Sequence, residues 1–436
     1  MANLKEAAKQ IFDDTLAAID IPATLRRKLA RSGSQIHCGG QTIDLAAFDK
    51  IVAISVGKAA HATAGGLLDV LGPERSVTGL LAAPTPPPVA LPGFQVFLGG
   101  HPVPNEDSLA AGRAALDIVR NCDERSLIFF LLSGGGSALM EAPLYDDVTL
   151  EDVQALNRVL VTCGAPIDEI NAVRKHLSAI KGGRLAAAAP TAMKITLGVS
   201  DVPQGRESAL ASGPTLPDPT TCDDVYRVVE KYRILDKLPG PIRSRIAART
   251  LEETPKQGDP AFARSHFDLL LGVDDLFAAA RAAAEAQGFT VVCDNASDDW
   301  PLAKAADHLL KTLAQLRKQH GGARVCVIAD GEVSSPVTGS GIGGRNSAFV
   351  LNCVEKIAGR NVAVLSAGTD GVDGNSLAAG AVADGLTHGR SIMSGLDYID
   401  FFRRSDAYSF FRMLNDAIET GPTGNNLRDL RILLAE

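Results

Sequence analysis

Residues 127–140 read LIFFLLSGGGSALM. An apolar run enters Ser133, then Gly134, Gly135, Gly136 and Ser137, then Ala-Leu-Met. A phenylalanine-rich apolar run followed by glycines and helix-forming residues reads as a buried strand, a loop and a helix start. Such a loop lets backbone N–H groups close on a phosphate, and the helix start adds a partial positive charge. The alternative for the same letters is a tight turn that binds nothing. Two cations stand in comparable places. Lys58 follows the apolar run DKIVAISVG at 49–57 and opens a helical segment. A lysine there opposes the helix dipole, which favours a place beside a bound anion over a merely solvated side chain. Arg345 ends the glycine stretch GSGIGG at 339–344 and also opens a helix. It reads as an anion clamp, or else as a solvated arginine on a surface loop.

Carboxylates recur after strand-like runs, at Asp201, Glu332, Asp370 and Asp373. In α/β sheets the carboxyl ends of strands face the ligand. Acidic groups beside a phosphate cradle repel it unless a cation bridges them, and Mg²⁺ held by one or two carboxylates and substrate phosphates removes the conflict. Helix caps and turn residues are the plain alternative for any one of them. His101 reads as a loop histidine. The letters GxGxxG occur at 339–344, but residues 330–338, with Pro336, stand where the dinucleotide fingerprint needs a strand. A Walker A sequence, the protein-kinase signature set, HExxH and GxSxG do not occur.

These residues need elements to position them. Strand-like runs lie at 49–56, 78–82, 94–98, 127–132, 193–199, 266–272, 289–293, 323–329, 361–366 and 430–434. Helical spacing occupies 4–20, 61–71, 107–119, 149–163, 167–180, 274–287, 300–320, 346–358 and roughly 405–415. Strand–helix alternation in both halves predicts two α/β domains. The prolines and glycines at 238–260 mark the change, giving an N-terminal domain at 1–240 and a C-terminal domain at 241–436, with 266–272 opening the second alternation. With 436 residues, 46% hydrophobic and 22% charged, each domain can build a core. A net charge of −8 argues against a nucleic-acid surface. The amphipathic opening at 1–18 is unlike a secretory leader, and no apolar run is long enough for a membrane span. The seven cysteines are scattered without a CxxC pair, so they read as reduced thiols of a cytoplasmic enzyme.

Taken together the chain resembles the class II glycerate kinases, the glycerate 2-kinases of the MOFRL family, whose members often carry a hydroxypyruvate reductase name. The resemblance rests on VGKAA (56–60), GGHPVPNE (99–106), LLSGGGSALM (131–140), SDVP (200–203), ASGPT (211–215), GGRN (343–346), SAGTDGVDG (366–374) and GPTGNNLRDL (421–430). It implies a Rossmann-like N-terminal domain, a parallel sheet with helices on both faces. It further implies a smaller α/β C-terminal domain containing the MOFRL region, with the active site in the interdomain cleft. The implied reaction is ATP-dependent, Mg²⁺-assisted phosphorylation of D-glycerate to 2-phospho-D-glycerate. By motif, Lys58 and Arg345 are the catalytic cations and Asp201 the base or a metal ligand. Ser133, Gly134, Gly135, Gly136, Ser137, Glu332, Asp370 and Asn426 contact the nucleotide or its phosphates, and Asp370 is a second metal ligand. The implied partners are a small hydroxy acid and ATP, with a homodimer left open and neither nucleic acid nor membrane. The family usually continues GGRN with Gln-Glu, whereas this chain has Ser347-Ala348. VSSPVTGSGI, at 333–342, also lacks the family's common basic residue. A kinase for a related sugar acid, an NAD(P)H-dependent hydroxypyruvate reductase and a non-catalytic sugar-acid sensor are the alternatives.

Overall fold

The computed structural model describes residues 4–200, 202, 205–425 and 427–436. They divide into two compact units, Ile21–Gly272, and Val273–Glu436 with residues 4–20.

Six strands of the first unit form one parallel sheet: β1 (Lys50–Val56), β2 (Val77–Ala83), β3 (Phe94–Leu98), β4 (Ser126–Ser133), β5 (Met193–Val199) and β6 (Ser265–Leu271). Their order across the sheet is β3-β2-β1-β4-β5-β6, the Rossmann order. All of β4 is buried, and so is β1 from Ile51 onward. Runs without alternation belong to strands covered on both faces, and their Ile, Val and Phe side chains suit a pleated, buried surface. The register pairs Ile51 with Leu127 and Val56 with Leu132. The two strands therefore end level, which brings Gly57 and Lys58 beside Ser133 and Gly134. A three-stranded antiparallel sheet (Ala30–Ser32, Gln35–Cys38, Gln41–Asp44) and a helical layer cored by Leu160, Val173, Val225 and Ile242 complete this unit.

The second unit holds β7 (Thr290–Cys293), β8 (Val325–Asp330), β9 (Val362–Gly368), β10 (Gly380–Asp384), β11 (Ala417–Ile418) and β12 (Asp429–Ala435). They lie in the order β7-β8-β12-β9-β10-β11. Only β7 and β8 are parallel, and every other pair is antiparallel. The helix Leu4–Ala18 packs on this sheet. Lys5, 8% exposed, reaches both oxygens of Asp416 at 2.7 and 2.8 Å, and Arg390 approaches the same carboxylate at 2.9 Å.

The units depart from the boundary expected at residue 240. Residues 265–271 do not open a second alternation; they pair parallel with β5 and end the first sheet. The proline-rich stretch before them carries the helix Gly240–Ala248, which buries Ile242 and Ile246 in the first unit's helical layer, and the chain leaves the first unit only after Gly272. The first helix crosses the division because its partners, Asp416 and the sheet beneath it, are distant in sequence.

Removing one partner of a buried ion pair leaves an uncompensated charge. Asp416→Ala is expected to lower the unfolding free energy by about 3 kcal/mol, read from the urea midpoint at unchanged slope. A midpoint equal to that of the unsubstituted protein would show the Lys5 contact to be dispensable.

Candidate active site

The connection leaving β1 leads to β2 on one side, and the one leaving β4 leads to β5 on the other. Between β1 and β4 lies the switch point, where ligands of such sheets bind. Both loops read from the sequence meet there. The Lys58 N–H donates to the Gly134 carbonyl at 3.0 Å. The Ser133 hydroxyl accepts from the Ala59 N–H at 3.0 Å and donates to the Val56 carbonyl at 3.3 Å. Gly57, at φ +122°, passes so close that a Cβ would stand 2.1 Å from Ser133 Oγ. Only glycine permits this approach. The Ser133 hydroxyl, expected among the phosphate contacts, is buried and ties the two strand ends together.

Beyond that tie the loop opens. Gly135 sits in the left-handed region at φ +83° and caps the short helix Gly136–Leu139. The first amides of a helix have no intrahelical acceptor, so those of Gly136 and Ser137 are suited to an anion. The Ser137 hydroxyl lies 2.9 Å from that of Ser212, which donates to Asn171 Oδ1 at 3.3 Å. The His101 ring flanks the loop, 3.1 Å from where a Gly135 Cβ would be. Lys58 is half-buried at the rim.

In the second unit Arg345 opens the helix Arg345–Cys353. Its Nε donates to Asp429 Oδ2, and one terminal nitrogen, NH1, donates to Glu332 Oε2 at 2.7 Å. The other, NH2, makes no hydrogen bond among the described residues. Burial alone would weaken the guanidinium's hold on its proton, but Asp429 and then Glu332 overcome this and raise its pKa. The cluster continues through Arg428, which donates to Asp298 at 2.6 Å and to Asp330 at 3.1 Å. Arg431, fully buried, donates to the carbonyls of Asp330 and Gly331. Burial pushes the Asp330 carboxyl up, against the pull of Arg428.

The helix start that carries Arg345 is built on Asp373. Its carboxylate accepts from the N–H groups of Gly344 (3.1 Å), Asn346 (2.9 Å) and Ser347 (2.9 Å), and from the Ser347 hydroxyl (2.6 Å). A Cβ on Gly344 would sit 2.3 Å from Asp373 Oδ1, which explains the glycine before the arginine. Ser347, one of the departures from the family pattern, is thereby part of this cap.

Glu332 and Arg345 are in contact, whereas Asp370 stands after β9 and accepts from the Val372 N–H at 3.0 Å. Asp201 and Asn426 lie outside the described residues. Sequence reasoning missed Asp429, Asp298, Asp330 and Arg428. Only Asp429 and Arg428 had a signal, inside the GPTGNNLRDL stretch.

A family model described as a domain of unknown function, DUF4147, matches residues 7–247, and the MOFRL family model matches residues 325–429. The D-glycerate 2-kinase of Thermotoga maritima is 33% identical over 90% of this chain and 92% of its own. A relative from Agrobacterium vitis with a hydroxypyruvate reductase name is 34% identical over 88% of this chain and 87% of its own. The crystal structure of a Thermotoga maritima glycerate kinase superposes with a TM-score of 0.86 at 32% identity, covering 100% of both chains. The chain belongs to the class II glycerate kinases. Its two-unit α/β architecture is that of this family.

Asp373→Asn would turn an amide N–H₂ toward groups that are themselves donors. Leaving such groups unsatisfied costs about 1–3 kcal/mol, so a lowered urea midpoint of that size is expected for this glycerate kinase. A midpoint within error of the unsubstituted protein would show that the cap does not hold the Arg345 helix.

Proposed function

We propose that this class II glycerate kinase transfers the terminal phosphoryl group of ATP to the 2-hydroxyl of D-glycerate. Family membership supports the reaction class, and the β1–β4 switch point supports its chemistry. A dinucleotide-binding Rossmann unit carries its glycine fingerprint after the first strand and an acidic residue near the end of the second. Here Gly57-Lys58-Ala59-Ala60 follows β1, and Ala83-Pro84 ends β2. A cation replaces the glycines and no carboxylate awaits a ribose. That chemistry suits a phosphoryl donor and not a nicotinamide, which sets the hydroxypyruvate reductase reading aside.

Phosphoryl transfer asks a protein for in-line placement and charge neutralisation. The amides of Gly134–Ser137 hold anionic oxygen, and Lys58 brings an ammonium to their rim. Arg345 supplies a guanidinium whose Asp429 side is fixed and whose Glu332 side is exchangeable. Asp201 is the candidate base for the acceptor hydroxyl. Glu332, Asp370 and Asn426 are the remaining candidate nucleotide contacts.

Mg²⁺ fits this donor set. Asp370 offers hard oxygen after the strand end of β9, and Mg²⁺ is commonly held by one or two carboxylates and completed by substrate phosphates and water. When bound, it would neutralise phosphate charge; Asp370 is a candidate ligand, as is Asp201, which lies outside the described residues. No helix of the described residues is long and apolar enough to cross a membrane, and all seven cysteines are unpaired. Both accord with a cytoplasmic enzyme.

ADP release over a panel of hydroxy acids, with phosphorus NMR of the product, tests the assignment. Turnover with D-glycerate and a 2-phosphate signal is expected. NADH consumption with hydroxypyruvate and no ADP release would overturn it. Removing one preorganised charge contact costs several kcal/mol at the transition state. Lys58→Ala and Arg345→Ala are therefore each expected to lower turnover by about two orders of magnitude or more with the fold intact. Near-normal turnover in either variant removes that residue from the mechanism.

A further inference from the structure

A cavity of about 350 Å³ opens beside Arg345 in the second unit. Its walls are mostly apolar: Leu302, Pro336, Val337, Ala348 on the helix that Arg345 opens, Phe401 and Phe402, with serine, threonine and asparagine side chains as the uncharged polar members. Arg345 is the one charged residue in the lining. We propose that this cavity receives the base and ribose of the nucleotide donor, with the phosphates leaving past Arg345; the assignment rests on the kinase reading above.

Three observations carry it. The first is size and polarity. Small-molecule sites typically enclose about 300–1,000 Å³ of mostly apolar wall with few polar groups. A three-carbon hydroxy acid is too small for this cavity and has no apolar surface to offer its walls. The second is charge placement. An apolar slot with a guanidinium at one end suits a ligand that is flat and apolar at one end and anionic at the other, which describes a nucleotide. The third is construction. The arch at 335–337 is tied at both ends. Ser334 donates to the Trp300 carbonyl at 2.9 Å and accepts from the Leu302 N–H at 3.0 Å. Thr338 donates from N–H to the Ser405 hydroxyl at 3.0 Å and from its own hydroxyl to the Arg403 carbonyl at 2.9 Å. Val337 at its crest is 83% exposed although both flanks are held. An apolar side chain presented on a braced arch is placed to cover a ring. Asn352, one helical turn beyond Ala348 and also in the lining, takes Lys356 on its carbonyl oxygen at 2.7 Å, which leaves its amide N–H₂ as a donor.

The test compares two anions that share phosphates but not a base. ADP and inorganic tripolyphosphate are titrated by calorimetry into the full-length protein and two variants. Ala348→Leu fills the back wall. Phe402→Ala removes a lining ring that is 40% exposed, where loss of folding is not expected. Both variants should weaken ADP by at least about tenfold, 1.4 kcal/mol, while tripolyphosphate changes by less than about twofold. Equal weakening of both anions would show that the substitutions act through the anion site and would overturn the assignment. Unchanged ADP affinity in Phe402→Ala, or in a folded Ala348→Leu protein, would overturn it as well. These are equilibrium measurements, so they stand apart from the turnover assay. A protein without glycerate kinase activity would fail the kinase reading there, and ADP that binds regardless of both walls would fail the cavity here.

Discussion

Neighbouring parallel strands that hand the chain to opposite sides must part at their carboxyl ends. Much of the first unit's chemistry follows from that constraint. β1 and β4 end level, at Val56 and Leu132, and what closes the gap is backbone. The Ser133 hydroxyl bridges the two strand ends, and Gly57 passes over it with no room for a Cβ. The apolar runs that precede the gap are buried on both faces and cannot shift, so the amides after them are held on a rigid base. Amides fixed before the substrate arrives need no reorganisation when charge develops, the condition under which they contribute most.

Side-chain charge in the second unit is held by a different device. Arg345 stands between two carboxylates of unlike exposure: the Asp429 side chain is 6% exposed and that of Glu332 is 48% exposed. Exposed ion pairs contribute about 0.2–1 kcal/mol, whereas breaking a buried one costs about 3–5 kcal/mol. Displacing Glu332 therefore costs less than displacing Asp429. The Asp429 contact fixes the guanidinium's orientation, and Asp373 holds the helix start from which it projects.

The parts of this arrangement that were legible in the sequence are local ones. An apolar run ending in glycines announces a strand end, and Lys58, Arg345 and the Gly134–Ser137 loop were read from such junctions. The parts that were not legible depend on distant pairing. Residues 265–271 look like any strand, and nothing local says that they pair with β5 instead of starting a new sheet. The alanine-rich β10 and the two-residue β11 carry too little β propensity to stand out. Asp429 lies at the first position of a strand and Asp298 in a loop, so their meeting with Arg345 and Arg428 is a tertiary fact. Ser133 carries a second task that no local pattern announces: its hydroxyl bonds the Val56 carbonyl and the Ala59 N–H of the neighbouring strand end.

The Rossmann order alone would have favoured a nicotinamide enzyme, and the hydroxypyruvate reductase name among relatives points the same way. A fold supplies a place, and the groups set in that place decide the chemistry. A pyrophosphate of a dinucleotide needs backbone to approach it closely after the first strand, hence glycines, and its ribose needs an acid after the second. This chain puts Lys58 where those glycines would be and Ala83-Pro84 where the acid would be. An ammonium beside strand-end amides attracts transferable phosphate or a small carboxylate and offers nothing to a nicotinamide ring. The apolar wall that an aromatic base requires stands instead beside Arg345, between Pro336, Ala348 and Phe402. Each surface thus suits a different part of the chemistry, the amide loop taking small, charged oxygen groups and the braced apolar cavity a flat ring.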